Sequence, residues 1–215
     1  MIIVVNFKTY PSATGENALK LAKICEEVSN KTENEIFIAV QPTDILRMKD
    51  MQVISQHVDN LEQGRNTGFI LPESIKEAGA IGSLINHSEH KLNLDDINET
   101  INRCKGLDLK TFVCAASVEE ARKIARFDPN YIAFEDPNLI STGIPISKAN
   151  PQSVKDFVLA VKSVNPRIIT LCGAGISTGD DVRSALELGC DGVLAASAIT
   201  KSDNPKKVLM DFINQ

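Results

Sequence analysis

Eight short apolar, β-prone runs, alternating with helical patterns, predict an α/β protein with a parallel sheet and, by their number, an eight-stranded parallel (β/α)8 barrel. The runs are continuously apolar rather than alternating, as expected of strands covered on both faces. Helical periodicity fills most of the intervals between them. An open doubly wound sheet meets both conditions, but eight strand-then-helix units in 215 residues favour the closed barrel, at the short end of its size range.

In chain order the strands are expected at Ile2–Asn6, Ile36–Val40, Val53–Gln56, Ala80–Ile85, Thr111–Cys114, Tyr131–Phe134, Ile168–Leu171 and Gly192–Ala195. Between them, Ala18–Val28 carries apolar residues at Leu21, Ala22, Cys25 and Val28, which lie on one helical face. Further helices are expected at Pro72–Ala78, Leu94–Cys104, Val118–Ala125, Pro151–Val164, Asp180–Leu188 and Pro205–Ile213, with a weaker helical pattern over Gln41–Met51. No Gly/Ser linker, charge block or low-complexity stretch divides the chain, so residues 1–215 read as one domain.

Apolar residues make up 43% and charged ones 24% of the sequence, an ordinary soluble composition. The net charge of -5 gives no electrostatic footprint for nucleic acid or anionic lipid, while leaving room for a local basic phosphate pocket. Five cysteines, odd in number and without a CxxC pair, read as core residues of a reduced cytoplasmic protein. The opening Ile2–Val5 run is too short for a signal sequence, and no run approaches a membrane span. No nucleic acid or membrane partner is expected.

Chemistry in such a barrel belongs at the carboxyl ends of the strands. After strand one, Asn6 and Lys8 lie to one side and Phe7 to the other, so Lys8 offers a fixed positive charge at the mouth. Taken alone, a surface lysine with its ammonium in water is the plainer reading. After strand four, His87 precedes Ser88 and Glu89, which read as a helix cap and a first-turn acid; an imidazole there tends to be neutral. A loop histidine that merely caps fits equally. His57 and His90 have weaker claims, and no histidine spacing suits a metal, so none is expected.

Strand six delivers Glu135 at its end, followed by Asp136-Pro137 and a run to Thr142-Gly143, a stiff start and a permissive finish that suit a lid. A wet strand end with a plain connector is the alternative. After strand seven, residues 172–179 are small and open a helix with Asp180 and Asp181 in its first turn; backbone N–H groups there can converge on a phosphate, with help from the helix amino end. Ala195 to Ala198, after strand eight, offers further N–H donors. The Gly-x-Gly-x-x-x-Gly frame is not the dinucleotide fingerprint, and a tight turn is the simpler reading until its position is considered.

Asn6-Phe7-Lys8, Asn86-His87-Ser88-Glu89, Phe134-Glu135 with Thr142-Gly143, Cys172-Gly173-Ala174-Gly175 and the small loop at 195–198 stand in an order and spacing that resemble the triosephosphate isomerase family, in its shortened archaeal form. The resemblance spans residues 1–215. It implies interconversion of dihydroxyacetone phosphate and D-glyceraldehyde 3-phosphate, in glycolysis and gluconeogenesis, without a cofactor. By position it implies Glu135 as catalytic base, His87 as electrophile, Lys8 as the substrate-binding charge and Asn6 as an orienting partner, with Glu89 near the lysine. For the phosphate it implies contacts at Ile140, Ser141, Gly175, Ala196 and Ser197. The loop Asn66-Thr67-Gly68 resembles one that braces a neighbouring subunit, which implies a homodimer or homotetramer with Thr67 at the interface.

The sequence departs from the family pattern at Asp136, where proline is usual, and at Ser141 and Ala198, where glycine is usual. A second acid beside Glu135 would raise one carboxyl pKa if the two side chains met. These departures imply slower or weaker turnover. A different phosphate-binding barrel enzyme would share the last two loops but has no reason to carry Asn6, Lys8, His87 and Glu135. A non-catalytic phosphate scaffold would keep the fold and tolerate loss of Glu135.

Overall fold

The computed structural model describes residues 1–136 and 145–215. Its strands are β1 (Ile2–Asn6), β2 (Glu35–Val40), β3 (Val53–Ser55), β4 (Gly82–Ile85), β5 (Lys110–Ala115), β6 (Tyr131–Phe134), β7 (Ile169–Cys172) and β8 (Gly192–Ala195). Every neighbouring pair is parallel, and β1 pairs with both β2 and β8, which closes the sheet into a barrel. The open-sheet alternative is therefore excluded.

Around the barrel lie α1 (Gly15–Thr32), α2 (Pro72–Glu77), α3 (Leu94–Gly106), α4 (Val118–Ala125), α5 (Ile146–Ala149), α6 (Pro151–Val164), α7 (Gly179–Glu187), α8 (Ser197–Thr200) and α9 (Pro205–Ile213). Among the described residues no helix is long and apolar enough to cross a membrane. Three caps follow directly from composition: Asn93, Ser117 and Asn204 each accept a hydrogen bond from the backbone N–H three residues on. Glu33, Asp108 and Asp128, at or just beyond the ends of α1, α3 and α4, take left-handed backbone angles that end each helix.

The period-two alternation of each strand divides the core in two. Val4, Phe37, Ile54, Leu84, Phe112, Leu171 and Leu194 point inward and fill the barrel. Their neighbours, such as Ile3, Val5, Ile38 and Val113, point outward against the helices. Phe112 stacks on Tyr131 with centroids 4.1 Å apart, and Phe37 meets Phe112 edge-on at 5.0 Å. The same parity carried one step further places Glu135 on the inner side, since Tyr131 and Ala133 face in.

Some expectations shift. Residues 42–48 form a 3-10 helix rather than an α-helix, opened by Pro42. α1 is longer than its apolar stripe, β4 starts at Gly82 rather than Ala80, and β7 moves one residue on, so that Leu171 pairs with Gly192. The single-turn helices α5 and α8 escape a periodicity reading, because one turn contains too few apolar positions to show a period. All five cysteines are buried and unpaired.

Candidate active site

At the mouth of β1, Asn6 is 3% exposed and its Oδ1 accepts the Lys8 backbone N–H at 3.0 Å. Gln56 donates to the Lys8 carbonyl at 2.9 Å and to the Ala39 carbonyl at 3.2 Å. These bonds hold Lys8 at φ 49°, a conformation that a non-glycine residue adopts only when its surroundings fix it. Lys8 is not a solvated surface lysine. Its side chain is 11% exposed and its Nζ lies 2.7 Å from Glu89 Oε1.

His87 follows β4 and is buried. Its Nδ1 accepts the Glu89 backbone N–H at 3.1 Å, and an amide N–H can only donate, so the ring proton of the neutral imidazole sits on Nε2. That nitrogen faces Glu135, with 3.5 Å between Nε2 and Oε1. His57 finds its partner two residues on, with Nε2 3.2 Å from Asp59 Oδ1, and stacks on His90 at 3.8 Å between centroids. Burial pushes the His57 pKa down, and His90 adds to this against the pull of Asp59.

Glu135 is 3% exposed, and its Oε2 has no hydrogen-bond partner among the described residues. Burial raises its carboxyl pKa; His87, the Cys114 thiol, Lys8 and the Ser88 N–H work against that rise. A buried carboxylate with an unpartnered oxygen costs stability, and such groups concentrate where they are used. Asp136 follows directly, but burial of Glu135 itself is the foremost cause of the rise.

The loops after β7 and β8 complete the rim. Lys8, His87, Glu135, Gly175, Ala196 and Ser197 line one small concave pocket of about 50 Å³. The amino end of α7 differs from expectation. Thr178 and Asp181 form a capping box, Asp181 Oδ2 accepts from the N–H groups of Ser177 and Thr178 at 3.0 Å each, and Asp211 accepts the Gly179 N–H at 2.7 Å. These donors are already used, so the open small-residue backbone is that of Gly175 and of Ala196-Ser197, where α8 begins. Burial would push the Asp181 carboxyl up, but Lys148 and the loop N–H groups outweigh it and hold the pKa below the usual range.

A family model described as triosephosphate isomerase matches residues 1–215. The chain belongs to the triosephosphate isomerase family. Curated triosephosphate isomerases of methanogenic archaea are similar along the whole length: that of Methanobacterium bryantii is 46% identical, covering 100% of this chain and 96% of its own. Those of Methanobrevibacter smithii and Methanocaldococcus jannaschii are also 46% identical, covering 100% and 99% of this chain and 98% and 99% of their own. Membership makes the protein an isomerase and matches the closed barrel seen here.

Of the residues singled out in the triosephosphate isomerase pattern, Lys8, His87, Glu135, Gly175, Ala196 and Ser197 share the one pocket, and Asn6 supports Lys8 from beneath. Ile140 and Ser141, with Thr142 and Gly143, lie outside the described residues. Tyr10 lines the pocket and was not foreseen; an aromatic residue two positions past Lys8 was its only signal. Gln56 was read as a strand residue, although a polar side chain closing an apolar run points to the rim.

Gly173 is the place where absence of a side chain decides the site. A Cβ there would lie 2.7 Å from Glu135 Cγ and 3.2 Å from the Phe134 carbonyl, and neither is the loose end of a side chain. Gly173→Ala should displace the Glu135 side chain and lower kcat by about tenfold or more, with the fold intact by circular dichroism. A variant with unchanged kcat would mean that the carboxylate has room to spare.

Proposed function

We propose that dihydroxyacetone phosphate and D-glyceraldehyde 3-phosphate are interconverted at this rim, with Glu135 as base, His87 as electrophile and Lys8 as the fixed charge. Glu135 takes a proton from the carbon beside the carbonyl, and the electron pair moves onto the carbonyl oxygen. His87, through Nε2–H, and Lys8 hold the developing enediolate charge. The proton then returns to the adjacent carbon. Meanwhile the hydroxyl of the first carbon gives up its proton as its oxygen becomes the new carbonyl, and the former carbonyl oxygen takes up a proton through His87 Nε2, which ends as it began. Atoms and electrons balance without a redox partner or cofactor.

The observation that carries this reading is the buried Glu135 carboxylate, with one oxygen 3.5 Å from His87 Nε2 and the other without a partner among the described residues, in the pocket that Lys8 also lines. A raised pKa makes Glu135 a stronger base than an ordinary glutamate. The phosphate is received by the backbone of Gly175, Ala196 and Ser197, a role supported by their lining the same pocket, with Ile140 and Ser141 assigned by resemblance to the family. A coupled assay on purified protein tests the reading: turnover of both triose phosphates is expected, and a protein that binds inorganic phosphate but turns over neither would be a scaffold instead.

The proposal extends to one catalytic domain over residues 1–215, to a cytoplasmic setting in glycolysis and gluconeogenesis, and to a homodimer or homotetramer. Unpaired cysteines fit a reducing compartment. Leu46, in the 3-10 helix that follows β2, and Phe69, in the segment that follows β3, are 66% and 57% exposed, and Phe69 stands two residues from Thr67. A second cavity beside the active pocket, lined by Lys8, Gln56, His57 and Glu89 among others, offers a seat for a neighbour's Thr67 loop. Phe69→Asp is expected to shift the wild-type oligomer toward monomer in analytical ultracentrifugation, with a drop in specific activity. A monomeric wild type, or an oligomer indifferent to this change, would reject the assignment.

A further inference from the structure

Asn86 precedes His87 at φ 59°, in the left-handed region where a side chain is strained. Its amide is fully engaged. Oδ1 accepts the Leu92 N–H at 2.9 Å, closing the loop that bears His87 upon itself. Nδ2 donates to the Cys114 carbonyl at 2.8 Å and to Glu120 Oε1 at 3.0 Å. Glu120, in the first turn of α4, also receives the Lys91 ammonium at 2.7 Å on Oε1 and the Ala116 N–H at 2.6 Å on Oε2.

An acid in the first turn of a helix is normally explained by the helix dipole. Glu120 does more than that, since its two oxygens join the loop after β4 to the end of β5. Burial pushes its carboxyl pKa up; Lys91, the Ala116 N–H and the Asn86 amide together outweigh this and hold it below the usual range. It stays ionised at neutral pH and acts only as an acceptor.

The end of β5 then reads as a hub. The Cys114 carbonyl takes Asn86, the Ala115 carbonyl takes the Glu135 N–H at 2.9 Å, and the Ala116 N–H goes to Glu120. Three consecutive residues thereby tie the His87 loop and the Glu135 backbone to one short segment.

We propose that Asn86 and Glu120 are positioning residues, a clamp that sets His87 against Glu135 through the end of β5. Neither touches the pocket; both act through the geometry of His87. This rests on the roles assigned above to His87 and Glu135.

Steady-state kinetics of Glu120→Ala and Asn86→Gly test it. Each is expected to lower kcat by about 10- to 30-fold while KM for dihydroxyacetone phosphate stays within about threefold, because the phosphate loops are untouched. Glu120→Gln, with a carbonyl oxygen still able to accept, should fall between wild type and Glu120→Ala. Lys123→Met, on the exposed face of the same helix, should match wild type. The ¹⁵N signals of the His87 ring give a second readout: a fixed Nε2–H tautomer in the wild type, and averaged signals in Glu120→Ala. If Glu120→Ala does not fold, Asn86→Gly carries the same test, since glycine relieves the left-handed strain.

Unchanged kcat together with unchanged ring signals would overturn the clamp, as would a rise in KM at constant kcat. Ring signals that move in Glu120→Ala while Glu135→Gln keeps full activity would leave the clamp standing and reject Glu135 as the base.

Discussion

Glu135→Gln is expected to lower kcat by about three orders of magnitude, in the range for loss of a general base, with a much smaller change in KM. Glutamine keeps the shape and an acceptor oxygen but cannot take a proton from carbon. The same substitution should stabilise the protein. Burial holds the Glu135 carboxyl pKa above its ordinary value of 4.5, so the folded state binds that proton more tightly than the unfolded chain does. The favourable contribution of the protonated group is therefore complete below the unfolded pKa and is lost as pH rises through the folded one. At neutral pH the wild type carries the cost of a buried charge, which the glutamine variant lacks. Thermal melts should show Glu135→Gln above wild type near neutrality, with the gap closing in acid. The acid limb of the wild-type kcat/KM profile should likewise have its midpoint above that of an ordinary glutamate. A variant that is both inactive and less stable at neutral pH would mean that the carboxylate is structural.

Lys8→Met is expected to reduce kcat/KM by about two to three orders of magnitude, the scale for removing one charged stabiliser of a developing oxyanion. The loss should appear in kcat as well as KM, because a charge facing the enediolate acts more strongly on the transition state than on the bound substrate. Stability should change little. The ion-pair partner of Lys8, Glu89, is 58% exposed and returns to water when the ammonium is removed. Lys8→Arg should recover only part of the activity, since a planar fork does not occupy the place of a compact ammonium. A rise in KM alone would make Lys8 a binding residue only.

The barrel was legible because its strands are buried on both faces, so each reads as an uninterrupted apolar run, and Tyr131–Phe134 and Gly192–Ala195 keep the bounds read from sequence. The gathering of Lys8, His87 and Glu135 in one pocket was legible for a related reason: they are polar interruptions at the mouths of such runs. Elsewhere the sequence carries less information. One-turn α8 has no period to detect, and the capping of α7 depends on Asp211, which lies 32 residues beyond Gly179. Lys8 looks like any surface lysine until folding brings Glu89, 81 residues away, against it. Nothing in the sequence sets Glu120 apart, because its contact with Asn86 spans 34 residues. Long-range pairing of this kind has no local signature.

Solvent exchange into substrate reads the proton-transfer step itself. Dihydroxyacetone phosphate incubated with the wild type in deuterium oxide, followed by proton NMR at the hydroxymethyl carbon, should acquire deuterium at that carbon, whereas Glu135→Gln should leave it unlabelled over the same time. Labelling at equal rates by the two proteins would contradict the placement of the base at Glu135.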